Sequence, residues 1–139
     1  MRLYQLLRST LTSLLLFLCV THGNAQIFYP TEDNPKTRSS AVIEMGKGYV
    51  SGVCLLKKNG ALIHGSIFNE FGISALSFTY NEEKGKVKLH DVVNFLNKWY
   101  IRMVLRRDIA RWMQELKGGN SSYVNTRRTI TYRLMPLDV

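Results

Sequence analysis

His64, His90, Cys54 and a run of arginines are the residues whose types suit metal binding, proton transfer or anion binding. The two histidines have no carboxylate or cysteine at ligand spacing, so they do not read as a metal site. Asp91 follows His90 directly, and in a regular strand the two side chains would point to opposite faces. Cys54 stands in an apolar stretch, where cysteine serves as a small buried hydrophobe. Gly72-Ile73-Ser74-Ala75-Leu76 lacks the second glycine of a nucleophile elbow. Gly46-Lys47-Gly48 lacks the spacing of a phosphate-binding loop and opens no helix, so it reads as a turn. Glu70, Glu82, Glu83 and Asp91 fall in turns or caps, where acids are solvated. These residues specify no reaction. The chain reads as a binding protein and not an enzyme, with no cofactor and no metal.

The basic cluster is the stronger lead. Lys98, Arg102, Arg106, Arg107 and Arg111 share one stretch with Trp99, Tyr100 and Trp112. The plain reading is a solvated helical face over an aromatic core. The sharper reading is contact with anionic lipid headgroups, where tryptophan and arginine are both favoured. A net charge of +9 suits such a partner. Nucleic acid would match the charge too, but export argues against it. The expected partner is an anionic lipid surface or an envelope protein.

Export is read from Met1 to Ala25. Arg2 and Arg8 form a positive n-region, and Leu11 to Val20 an apolar h-region too short to span a bilayer of ~30 Å. Gly23-Asn24-Ala25 offers small residues for cleavage before Gln26. Leu16-Phe17-Leu18-Cys19 has the outline of a lipoprotein box with Cys19 as the lipidated residue, although Leu18 is a poor residue before it; cleavage after Ala25 is preferred. Taking Arg2 and Arg8 and no acid from +9 leaves +7 on the remainder. The division is then a signal peptide over 1–25, a polar linker over 26–40 and one domain over 41–139, with no transmembrane span.

The elements that must position the basic cluster follow from periodicity. Alternation predicts strands over Ala41–Met45, Tyr49–Lys57, Ala61–Asn69, Ile73–Tyr80 and Lys86–His90. Asn59-Gly60 predicts a type I′ hairpin turn, and Gly65 a bulge or close approach. Leu76, Phe78 and Tyr80 share a face, as do Val87 and Leu89. From Asp91 to Leu116 the period becomes helical, with Val92, Phe95, Leu96, Trp99 and Met103 on one face. Ile109, Trp112, Met113 and Leu116 follow out of phase, which predicts two helices capped by Asp91 and Asp108 with a bend at 106–108. Arg111 and Glu115 form an i, i+4 pair, and Gly118-Gly119-Asn120 ends the second helix. Tyr123–Leu134 reads as one last strand. The expected fold is α+β: an antiparallel β-meander covered on one side by a helical hairpin, with a C-terminal strand.

A sheet whose apolar strand faces (Val53, Leu55, Ile67, Phe68, Leu76, Phe78) lie under Phe95, Leu96, Trp99 and Met103 is similar to the lipoprotein carrier and receptor family of the bacterial periplasm and outer membrane. Gly65–Phe71 (GSIFNEF) and Lys98–Ile101 (KWYI) also look like stretches of small exported proteins of Bacteroidetes-type bacteria. The resemblance implies a curved half-barrel holding acyl chains under helices. Leu76, Phe78, Phe95, Leu96, Trp99 and Met103 would then contact lipid, with Lys98, Arg102, Arg106, Arg107 and Arg111 toward anionic headgroups. The expected function is a lipid- or lipoprotein-handling module in the periplasm or outer membrane of a Gram-negative bacterium. The alternative is a structural or protein-interaction module with a filled core and no small ligand.

Overall fold

The Asn59-Gly60 signal produces a two-residue hairpin one position later than a type I′ turn would place it. β2 (Gly48–Asn59) and β3 (Leu62–Phe68) pair antiparallel with Asn59 opposite Leu62, which leaves Gly60 and Ala61 as the loop. Gly60 alone takes a positive φ, 61°, the φ signature of a II′ turn. The computed structural model describes residues 28–46 and 48–137. The signal-peptide reading, Cys19, the cleavage site at Gln26 and Lys47 lie outside these residues.

Around this hairpin the remaining strands add in sequence. β1 (Lys36–Met45), β4 (Ser74–Asn81) and β5 (Lys86–Val92) extend it, and β6 (Ser122–Asn125) and β7 (Ile130–Met135) join at the β1 edge. The result is one seven-stranded antiparallel sheet in the order β5-β4-β3-β2-β1-β7-β6, curled into a half-barrel. One helix, α1 (Trp99–Lys117), packs against both edge strands, β5 and β6, and fills the open side. Strands make up 50% of the described residues and helix 20%, which overturns a meander covered by a helical hairpin.

The error lies between Asp91 and Met103. Asp91 and Val92 belong to β5, a 3-10 turn follows at Asn94–Leu96, and α1 begins only at Trp99, after an uncapped Lys98. The buried stripe of α1 is Leu105, Ile109, Trp112, Met113 and Leu116, in a single phase at i, i+4, i+7, i+8 and i+11. No bend is needed, because Trp99 does not belong to that stripe: it stands 75% exposed. Asp108 is no cap; it is buried in mid-helix. Arg111 and Glu115 take other partners, Tyr123 and Asn120. The helix does stop at Gly118, with Gly119 at a φ of 99°.

The stretch expected to be a polar linker is part of the domain. β1 begins at Lys36, Tyr29 is buried in the core, and Thr37 donates to the Phe28 carbonyl at 2.6 Å. The last strand is two, since the chain turns at 126–129 with Thr129 at a φ of 56°.

The concave face of the sheet carries the core. Val50, Cys54, Leu56, Ile63, Ile67, Leu76, Phe78, Tyr80, Val87 and Leu89 meet the α1 stripe there. Gly65 marks a close approach: a Cβ on it would stand 2.2 Å from the Phe78 ring, which lies across β3. Trp112 and Tyr132 pack at 5.3 Å between ring centres with their planes inclined by 47°, and both rank among the largest side chains with no accessible surface. Burial pushes the Cys54 thiol up to about 12, with Ser39 pulling weakly the other way, so it remains an unreactive core residue.

Candidate functional site

Antiparallel pairing brings one set of turns to a single end of the half-barrel. Met45 pairs with Gly48 and with Ile130, Ile130 with Asn125, Phe68 with Ser74, and Leu76 with Val92. The β1–β2, β3–β4 and β6–β7 turns and the link from β5 to α1 therefore share this end, here called the rim. Phe95 on that link reaches under the β1–β2 turn, 3.9 Å from where a Cβ on Gly48 would lie.

The rim exposes apolar side chains to water. Among the described residues, eight large hydrophobic side chains stand exposed, and six of them are here: Tyr49, Phe71, Ile73, Phe95, Trp99 and Tyr100. Phe71 and Ile73 are held outward because the Asn69 side chain accepts from both of their backbone N–H groups at 3.0 Å. Trp99 and Tyr100 meet edge to face at 5.7 Å. Lys98 on the link, Arg102 in the first turn of α1, and Arg127 and Arg128 in the β6–β7 turn lie at the same end, and Glu70 is the acid in these turns. Arg102 is oriented by donating to Asn97 at 3.0 Å.

The opposite end has the reverse chemistry. Tyr29, Lys58 and Lys117 converge on Glu82, with Lys58 at 2.9 Å and Lys117 at 3.7 Å. Burial pushes the Glu82 carboxyl up, but hydrogen bonds from Tyr29 and Lys58 and the charges of Lys117 and Lys58 outweigh it. Its pKa lies below the ordinary carboxylate value. Burial, reinforced by Glu82, holds the Tyr29 phenol well above its ordinary value.

Beside the helix runs a cleft of about 650 Å³, between α1 and the β6–β7 hairpin. Four arginines line it, Arg107 and Arg111 from the helix and Arg127 and Arg128 from the hairpin turn. The carboxylate there, Asp108, is already engaged. It accepts from Tyr132 Oη at 2.8 Å and from Asn125 Nδ2 at 3.0 Å, tying helix to hairpin. Burial and the Asp108 carboxylate push the Tyr132 phenol well above its ordinary range. Arg111 donates to the Tyr123 hydroxyl at 3.4 Å, which raises its own pKa.

The residues expected to contact lipid are therefore scattered. Leu76, Phe78 and Leu96 are at most 2% exposed within the packed core and offer an acyl chain no surface; Met103 is half-buried, while Phe95 and Trp99 stand outside. This corrects the lid reading, which needed all six around one cavity. Of the expected cationic set, Arg107 and Arg111 enter the cleft, Lys98 and Arg102 join the rim, and Arg106 is exposed outside the cleft. Arg127 and Arg128 were missed, because nothing in Tyr123–Leu134 resembles a strong turn signal except Asn125, whose side chain accepts from the Arg128 N–H at 3.2 Å.

A polar ladder on the outer face brings His64, Thr79 and His90 together, and Ser77 with Asp91. His90 and Asp91 share this face because β4 takes two steps from Leu76 to Phe78 while β5 takes three from Val92 to Leu89. Ser77 donates to Asp91 and no histidine accepts from it among the described residues, so the ladder is not a nucleophile with its base. Among the same residues no helix is long and apolar enough to cross a membrane. No protein-family model, curated protein or solved structure matches this chain.

Proposed function

We propose that this chain is an exported, non-catalytic module of the cell envelope that docks on an anionic membrane surface through the rim. The observation that carries the reading is the collection of six exposed aromatic and aliphatic side chains among Lys98, Arg102, Arg127 and Arg128 at one end. Aromatic rings suit the headgroup level of a bilayer, and nearby cations add about 1 kcal/mol each against an anionic leaflet. In this reading lipid is met at the surface and not enclosed, because the interior is occupied by Trp112, Tyr132 and Phe78. That filled core also favours the second reading, a protein-interaction module with no small ligand, in which the same rim would face an envelope protein.

Co-sedimentation with vesicles separates the two. Docking on lipid requires binding to phosphatidylglycerol-rich vesicles, weak binding to phosphatidylcholine, and partial release by salt. A protein that stays in the supernatant with both lipids at low salt contradicts the membrane reading.

A further inference from the structure

We infer that the arginine-lined cleft beside α1 is a binding site for a phosphorylated small molecule or headgroup carrying a phosphate monoester or diphosphate. The cleft shares Arg127 and Arg128 with the rim, but the inference rests on its own helix pair, Arg107 and Arg111, and on the frame that holds the hairpin turn opposite them. Arg107 and Arg111 stand one helical turn apart on α1, and Arg127 and Arg128 face them from the hairpin turn. Among the described residues none of the four lies in an ion pair, whereas Arg133, on the outer face, is paired with Glu44 at 2.6 Å. Asp108 is hydrogen-bonded only to the neutral Tyr132 and Asn125, so as the one carboxylate lining the cleft it offsets at most one of the four guanidiniums. A single carboxylate would leave most of that charge unbalanced; a dianionic phosphate would not.

The cation type points the same way. All four are arginine, whose planar fork matches phosphate oxygens two at a time, and no lysine lines the cleft. The frame is built beforehand. Asp108 ties the helix to Asn125, and Asn125 in turn accepts from the Arg128 N–H, so both arginine pairs hang from one connected set of bonds. The volume of about 650 Å³ lies within the usual range for ligand pockets and exceeds what one phosphate fills. The phosphate would therefore carry a body, for which Val104, Tyr123 and Val124 supply apolar wall and Gln114 an amide.

The test is calorimetric titration of the full-length chain with inorganic pyrophosphate. Arg107→Gln/Arg111→Gln should weaken binding roughly tenfold or more, as loss of charge-assisted hydrogen bonds requires. Arg106→Gln, exposed outside the cleft, should change it little. The paired substitution Arg107→Lys/Arg111→Lys keeps the charge and removes the fork. It should still weaken binding, which guards against a folding defect in the glutamine variant. Vesicles then identify the source. Excess binding to phosphatidate over phosphatidylglycerol at matched charge, lost on adding pyrophosphate, assigns the phosphate to a lipid headgroup; pyrophosphate binding without that excess assigns it to a soluble molecule. No heat with millimolar pyrophosphate, or equal affinity in the glutamine variant, overturns the proposal. Because that titration contains no membrane, its failure is separate from failure of rim docking.

Discussion

The two ends of the half-barrel use charge in opposite ways. At the Glu82 end, Lys58, Lys117 and the Tyr29 phenol converge on one carboxylate that is largely shielded from water, while Glu83, Lys84 and Lys86 of the same turn stay exposed. At the rim, Lys98, Arg127 and Arg128 enter no ion pair among the described residues and stand beside exposed aromatic rings. A cluster of charges satisfied within the protein, like that around Glu82, contributes to stability. An end that leaves cations and apolar surface open gives up stability for contact with something else. The tryptophans repeat the contrast: Trp112 is fully buried with its N–H on the Ser121 carbonyl, and Trp99 is 75% exposed.

The largest effect should come from the interior. Trp112→Ala should cost ~3–5 kcal/mol, whereas Trp99→Ala should stay within about 0.5 kcal/mol. Urea midpoints of the two variants read this directly, and equal losses would erase the distinction between core and rim.

Next is the fastening between helix and hairpin. Asp108→Ala leaves Tyr132 and Asn125 without their acceptor and should cost ~2–4 kcal/mol. A hydrogen-exchange map should show β6 and the last turns of α1 losing protection first; uniform loss would mean that Asp108 is not what joins them.

Glu82→Gln should cost about 1–2 kcal/mol near neutral pH. The sign with pH follows from the lowered pKa. The carboxylate contributes fully above the ordinary, unfolded-state value, and that contribution is lost as pH falls through the folded value. The stability gap between Glu82→Gln and the unmodified protein should therefore close on acidification. A gap that widens toward acid would contradict the direction of the shift. The smallest effect belongs to the rim: Lys98→Gln should weaken binding to anionic vesicles by about 1 kcal/mol and leave the melting temperature unchanged.

Much of the sheet was legible because alternation is local. Leu76, Phe78 and Tyr80, and Val87 and Leu89, face the core as their spacing requires. The helix was misread because Val92, Phe95, Leu96, Trp99 and Met103 happen to match a helical period across a strand end, a 3-10 turn and a helix start. Periodicity alone does not show which apolar residues a fold leaves outside. The rim was illegible for that reason: Phe71, Phe95 and Trp99 are 24 and four residues apart, and only strand register brings them together. Half of the cleft was visible as a helical run of arginine. The other half depended on a turn at Thr129, a β-branched residue at positive φ that no sequence rule would place there.

The paired tryptophans also provide the most direct test of rim docking. In a Trp112→Phe variant, fluorescence reports Trp99 alone; in Trp99→Phe it reports Trp112. With vesicles of brominated phosphatidylglycerol, Trp99 emission should shift to the blue and be quenched, while Trp112 emission should not change. Unquenched Trp99 emission on vesicles that demonstrably sediment the protein would show that another surface meets the membrane, and would contradict docking through the rim.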